Sequence, residues 1–341
     1  MKNMNKILNL FDEEFVLKLF RQEVLPHYPE FIGIKRVKIN PYKNMVWRTT
    51  YHVVIGFETH FLTDEGDERE VLIVCSAHSN EPRRNVYSVL KYLWKVGLPT
   101  KFIDLPDPIF YSQEFNGTFY AGLKGDNLLY YIKSHDFPVV NEIVAEAARL
   151  FTRLHSLPIA GAANFNTENS RIATVIPGKA KVLEGVGKRY DNKYNSDLEK
   201  IYDYLIAQEE KYFASGATLT VIHGDAHPEN IIRTAPGRLG LIDFTDLCLG
   251  DRARDLGTFV QQLEYRLRVE DAVWSQQVRD LFLNTYWKES GLKFDDNLKA
   301  RFRVYYNWTA LRTVIYWFLR FGHNEAKALS LLEEIKADLK I

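Results

Sequence analysis

Three polar residues in one stretch have the types and spacing to move a phosphoryl group. Asp225 lies in Val221-Ile222-His223-Gly224-Asp225-Ala226-His227-Pro228-Glu229-Asn230, with Asn230 closing the run, and Asp243 follows in Leu241-Ile242-Asp243-Phe244. The apolar residues before Asp225 and before Asp243 read as short strands, so a carboxylate ends each and a carboxamide lies between them. Phosphoryl transfer needs an acceptor hydroxyl aimed in line at the γ-phosphate of ATP, and divalent metal to spread the charge. Asp225 would accept the hydroxyl proton and aim its oxygen. Asn230 would offer a carbonyl oxygen, and Asp243 a carboxylate, to Mg2+, which prefers hard oxygen donors. Either half alone is compatible with loop, cap or strand-end duty. Their order and spacing together favour the chemical reading.

The spacing matches kinase catalytic loops, where an Asp is followed by four residues and Asn, and later by a metal-binding Asp-Phe pair. In its details the chain resembles the aminoglycoside phosphotransferase and choline kinase-like family, which writes the loop His-Gly-Asp, four residues, Asn. That family's later Ile-Asp-Phe, Gly-Asp and Asp-Leu have counterparts in Ile242-Asp243-Phe244, Gly250-Asp251-Arg252 and Asp255-Leu256. The helix ending Leu154-His155-Ser156-Leu157-Pro158 looks like its Ala-Arg-Leu-His-x-Leu-Pro segment, and Tyr120-Ala121-Gly122-Leu123-Lys124-Gly125 looks like its interlobe hinge. The resemblance implies a protein-kinase-like fold, ATP as donor, and Tyr120 and Leu123 as hinge residues at the nucleotide. It also implies that His223, Asp251 and Asp255 brace the loops, with no direct part in the chemistry.

The first third of the chain departs from this pattern. A kinase has a glycine-rich turn between its first two strands, where backbone approaches phosphate. The corresponding segment, Asn40-Pro41-Tyr42-Lys43-Asn44, has no glycine. The third strand, Val71-Leu72-Ile73-Val74-Cys75, lacks the phosphate-binding lysine, and Asn85 stands where a helix glutamate would orient it. Lys43 or Arg48 could serve the phosphates instead; solvated surface positions are an equal reading for each. These losses keep a second function open, a nucleotide-binding pseudokinase that senses or scaffolds.

The elements that must position these residues follow from periodicity. Trp47 to Phe61 alternates as a long half-buried strand, and Val71–Cys75 reads as its buried partner. Val86, Val89, Leu90, Leu93 and Trp94 form a helical stripe ended by Gly97 and Pro99. Short extended segments follow near residues 101–105 and 115–121, separated by Pro106-Asp107-Pro108. Ile143, Ala147, Leu150, Phe151 and Leu154 mark another helix, residues 158–195 read as loop, and from Leu256 onward the pattern is helical. Segregated strands and helices predict an α+β, two-lobed protein-kinase-like fold, with a nucleotide lobe over 1–122 and a catalytic and substrate lobe over 123–341.

Composition narrows the partners. With 341 residues, 46% hydrophobic and 26% charged, the chain is an ordinary folded protein of two-lobe size. Lys plus Arg equals Asp plus Glu at 44 each, so there is no cation surplus to neutralise a nucleic acid backbone. No apolar run is long enough to span a membrane. Cys75 and Cys248, both in apolar surroundings, make neither a disulfide framework nor a zinc site, and a cytoplasmic setting is expected. The expected partner is a hydroxylated small molecule. A polycationic acceptor would want carboxylates, and a choline-like one an aromatic cage. Tyr305, Tyr306, Trp308, Tyr316, Trp317, Phe318 and Phe321 supply rings that could equally be helix core.

Overall fold

The computed structural model describes residues 5–268, 271–320 and 324–341, so Phe321 lies outside the described residues. The chain divides into two compact units, Met1–Gly125 with Thr234–Thr245, and Asp126–Arg233 with Asp246–Ile341. Strands dominate the first and helices the second, the α+β arrangement that segregated patterning implies.

In the first unit, α1 (Glu13–Glu23) precedes three long strands, β1 (Gly33–Val46), β2 (Tyr51–Leu62) and β3 (Glu68–His78). Then come α2 (Arg84–Lys95), β4 (Ile103–Asp104), β5 (Asp107–Ser112) and β6 (Gly117–Ala121). Five strands make an antiparallel sheet in the order β1-β2-β3-β6-β5. Val53, Ile55, Phe57, Thr59 and Phe61 of β2 are buried on one face, as the alternation requires. Phe20 of α1 packs edge-on to Phe57 at 5.1 Å, so α1 covers this face.

Two sequence expectations are corrected here, and one element is added. Residues 40–44 are not a turn: β1 runs through them, with a bulge between Pro41 and Lys43, and the hairpin turn falls at residues 47–50. Pro41 lacks a ladder donor, and the bulged edge position of β1 absorbs that loss. The segment after Pro106 is not a break either. It is the opposite edge strand β5, where Pro108 is tolerated for the same reason. α1, for which the apolar pattern named no element, is started by Asp12, whose side chain accepts the Phe15 N–H at 2.9 Å.

The second unit begins with β7 (Asp126–Asn127), α3 (Leu128–Lys133) and α4 (Phe137–His155). α5 (Lys179–Tyr190) and α6 (Asn195–Ala214) follow, then β8 (Thr220–Ile222) and β9 (Ile231–Ala235), the latter carrying the chain into the first unit. After β10 (Arg238–Leu241) come β11 (Cys248–Gly250), α7 (Arg252–Leu267), α8 (Ala272–Ser290), α9 (Asp296–Leu319) and α10 (Glu325–Leu339). α5 lies in the region read as loop. Its Gly185 and Gly187 weaken the helical signal, and burial of Val182 and Val186 supplies what propensity lacks. α7 and α9 pack against each other at Gly257, where a Cβ would stand 2.7 Å from the Tyr306 nitrogen. Tyr305, Trp308 and Phe318 belong to the core around α9. Among the described residues no helix is long and apolar enough to cross a membrane.

Candidate active site

The loop holding Asp225 is clamped by the first turn of α7. β8 delivers the chain to His223 and to Gly224, where a φ of +82° and the 2.4 Å at which an added Cβ would meet the Asp246 carbonyl both demand glycine. Asp255, fully buried, accepts the His223 N–H at 2.7 Å on one oxygen and the Gly224 N–H at 2.9 Å on the other. Its Oδ2 also meets His155 Nε2 at 3.1 Å, while His155 Nδ1 lies 2.8 Å from the Tyr286 hydroxyl. Burial works against the Asp255 charge, but the hydrogen bond and charge of His155, with His223 behind them, hold its carboxyl below the usual range. Next to it, Arg254 donates to the Gly224 carbonyl at 3.3 Å and to the Asn169 carbonyl. Asp251, also buried, caps α7 through the Ala253 N–H at 3.0 Å and pairs with Arg301. His155, quoted from the sequence only as part of a helix-end motif, joins the network that fixes the loop.

Asp225 projects from this loop, its side chain 29% exposed, with a donor on each oxygen. Arg312 Nη1 lies 3.4 Å from Oδ1, and His227 Nε2 lies 3.5 Å from Oδ2. His227 Nδ1 accepts the Glu229 N–H at 3.3 Å, and its Nε2 faces both Asp225 and Asn230 Nδ2, the latter at 3.1 Å. Burial favours the neutral carboxyl, yet the hydrogen bond from His227 and the charges of Arg312, His227 and His223 hold Asp225 well below the usual carboxylate range. Asn230 donates its amide to the Asp225 carbonyl at 3.0 Å, so its side-chain oxygen is not spent on holding the loop.

Asp225 opens onto a cavity of about 480 Å³ wholly within the second unit. Thr258, Gln262 and Tyr265 of α7 and Thr309, Arg312, Thr313 and Tyr316 of α9 line it, each set recurring at helical spacing. Gln262 donates to Thr313 at 3.1 Å, and Trp317 Nε1 donates to the Tyr265 hydroxyl at 2.8 Å. Arg266 pairs with Glu229 at 3.2 Å on the rim. Of the rings singled out in the sequence, Tyr316 and Trp317 reach this cavity, whereas Tyr305, Trp308 and Phe318 are core. Sequence reasoning missed Arg266 and Arg312. The available signal was the helical spacing of polar residues, 258-262-265-266 in α7 and 309-312-313-316 in α9.

The first unit carries Asp243, Lys43, Arg48, Tyr120 and Leu123. Asp243 follows β10 with φ +62°, the left-handed region, and accepts the Thr245 hydroxyl at 2.8 Å. Lys43 Nζ lies 3.4 Å from His52 Nε2, and the His52 and His78 rings are 4.8 Å apart. Burial, followed by Lys43, Arg83 and His78, pushes the His52 imidazole down to about 4 against the opposing pull of Asp243. Burial and the Asp243 charge push the Tyr120 phenol up. Arg83, another residue the sequence reading passed over, is 6% exposed in its side chain; it meets Glu81 at 3.4 Å, and its Nε has no hydrogen-bond partner among the described residues. Asn85 donates to the Thr245 carbonyl at 3.3 Å, just beyond Asp243. Leu123 packs on Gly240, where a Cβ would stand 2.2 Å from its methyl. Arg48 is exposed in the hairpin turn and makes none of these contacts.

The family model of the phosphotransferase enzyme family (APH) matches residues 55–306. No curated protein sequence matches the chain. Among solved structures, the ternary complex of a thermostable aminoglycoside phosphotransferase APH(4)-Ia mutant with ADP and hygromycin B is similar at TM-score 0.59 and 11% identity, over 96% of this chain and 98% of that one. An ethanolamine kinase of Plasmodium vivax aligns at TM-score 0.55 and 11% identity, over 89% and 82% of the two chains. A choline/ethanolamine kinase family protein of Mesorhizobium loti aligns at TM-score 0.54 and 12% identity, over 95% and 94%. These likenesses establish a kinase-like fold.

Proposed function

Because the chain belongs to the phosphotransferase enzyme family, we propose that it transfers the γ-phosphate of ATP to a hydroxyl of a small molecule, with Asp225 as the base. The observation that carries this reading is Asp225 itself: an ionised carboxylate on a clamped loop, facing a cavity of about 480 Å³. In the reaction the acceptor oxygen attacks the γ-phosphorus, the bond from that phosphorus to the β–γ bridging oxygen breaks, and ADP leaves. The hydroxyl proton goes to Asp225. Asp255 and Arg254 keep the carboxylate in place by fixing the backbone of His223 and Gly224. ADP in the related hygromycin B complex supports nucleotide use.

We assign magnesium to two hard oxygen donors, the amide oxygen of Asn230, which makes no hydrogen bond among the described residues, and the carboxylate of Asp243. When bound, that ion would neutralise phosphate charge. Tyr120 and Leu123 are the residues we assign to the nucleotide base, and Lys43, Arg48 and Arg83 the cations available to its phosphates.

Asp225→Asn tests the assignment. The variant should fold and bind ATP as the parent does, yet turn over ~10²-fold or more slowly, the scale of general-base catalysis. Parent-like turnover would remove Asp225 from the role. A pseudokinase is the second reading, favoured by the absence of lysine from β3. Nucleotide binding without turnover across a broad panel of hydroxylated metabolites would select it.

A further inference from the structure

We propose that the acceptor carries an anionic group, a carboxylate or a phosphate, which the second unit's cavity binds through Arg266 and Arg312. The proposal rests on the phosphotransferase reading and names its substrate class. The charges of the cavity carry it. Two arginines and two carboxylates line the space, Arg266 and Arg312 against Asp225 and Glu229. Asp225 is committed to the acceptor hydroxyl and Glu229 is already paired with Arg266 at 3.2 Å. No carboxylate is left over for a polycationic acceptor.

The rings do not form a free cage for a cation either. Lys327 Nζ stands 5.0 Å from the Trp317 ring centre, and the Arg268 guanidinium 5.4 Å from that of Tyr265. At Trp317 and Tyr265 the protein's own cations already make interactions of the kind a quaternary ammonium would use. An anion meets the opposite situation. Among the described residues Arg312 and Arg266 each make one hydrogen bond, at 3.4 and 3.2 Å, and both side chains are 40% exposed. A guanidinium has five donors in a fork suited to carboxylate or phosphate, so most of each fork is available. The threonine and glutamine side chains between the arginines supply contacts for neutral hydroxyls.

Four ligands with a shared six-carbon polyhydroxyl frame test this: D-gluconate, D-glucose 6-phosphate, D-sorbitol and N-methyl-D-glucamine. Binding to the full chain is measured by calorimetry without nucleotide. At least one of the two anions should bind tenfold or more tightly than sorbitol and the glucamine, and comparing gluconate with the sugar phosphate identifies which anion is preferred. Arg266→Gln should erase the anion preference with sorbitol affinity unchanged, and Arg266→Lys should restore part of it. Equal responses across the four, or tighter binding of the glucamine, would overturn the proposal. Phosphoryl transfer from ATP is scored separately. Its failure with every acceptor would sink the kinase reading while the binding preference stood.

Discussion

Arg312 reaches Asp225 from α9 across 87 residues of sequence, its Nη1 3.4 Å from Oδ1, while His227 occupies the other oxygen at 3.5 Å. A base whose two oxygens both face donors stays ionised and aimed, but is weak. On the proposed reading, the arrangement holds charge in place before the acceptor arrives, and one guanidinium links the cavity to the proposed base.

The first prediction follows from that link. The Asp225 carboxyl lies below its ordinary range with Arg312 among the causes, so Arg312→Gln should raise it. Protonation removes the base, so the acid limb of the kcat/KM profile, which reports the free enzyme, should move to higher pH. Arg312→Lys should leave the limb nearer the parent position. An unchanged acid limb in Arg312→Gln would show that the guanidinium does not act on Asp225.

Asp255 should matter for stability more than for proton transfer. Asp255→Ala would leave two buried N–H groups and His155 without their acceptor, at a cost of about 3–5 kcal/mol, the range for breaking a buried pair. Because the folded carboxyl lies below its unfolded value, its contribution is present above the ordinary Asp range near ~4 and is lost as pH falls through the folded value. The parent should therefore lose stability on acidification more steeply than Asp255→Asn. Urea titrations from pH 7 downward measure this, and parallel curves would sink the linkage.

Much of this was legible in the sequence, and the omissions have physical causes. Period-two burial in β2 and the stripes of α2 and α4 come from single faces meeting a core, so they show in one chain. Asp225, Asn230 and Asp243 could be proposed from the sequence because short-range spacing links them. Arg312 could not, since its meaning depends on α7 and α9 approaching at Gly257, a long-range fact. β1 passed for a turn because Pro41 and two asparagines punctuate it, and pairing with β2 outweighs those local signals. Arg83 drew no notice in the sequence; its buried side chain and the Thr118 hydroxyl of β6 bonded to its carbonyl are long-range facts.

Asp243 calls for a substitution that respects its backbone. At φ +62° alanine would add strain, whereas asparagine tolerates the left-handed region and removes only the charge. Asp243→Asn should keep the parent's melting temperature but lose most of the magnesium dependence of ATP binding. Calorimetry with ATP, with and without added magnesium, reads this directly. A parent-like dependence would take Asp243 out of the metal assignment.

The last prediction concerns the cations proposed to stand in for the absent β3 lysine. Lys43 lies on β1 beside His52, and the depressed imidazole registers both Lys43 and Arg83 as neighbouring positive charge. Arg83 is better placed to give a large effect, because its side chain is nearly buried and its Nε is unpartnered among the described residues. An exposed ammonium on a strand is worth on the order of 1–2 kcal/mol to a phosphate, so Lys43→Ala should weaken ATP binding roughly tenfold without changing thermal stability. Charge-assisted hydrogen bonds from a desolvated guanidinium are stronger, and Arg83→Ala should weaken ATP binding on the order of 10–100-fold, with some loss of stability from the vacated space. Adenosine, which has no phosphates, separates the two effects. Its affinity should stay near the parent value in both variants when measured well below their melting temperatures. If ATP and adenosine weaken in parallel in Arg83→Ala, the arginine only supports the fold, and Arg48 becomes the next position to test.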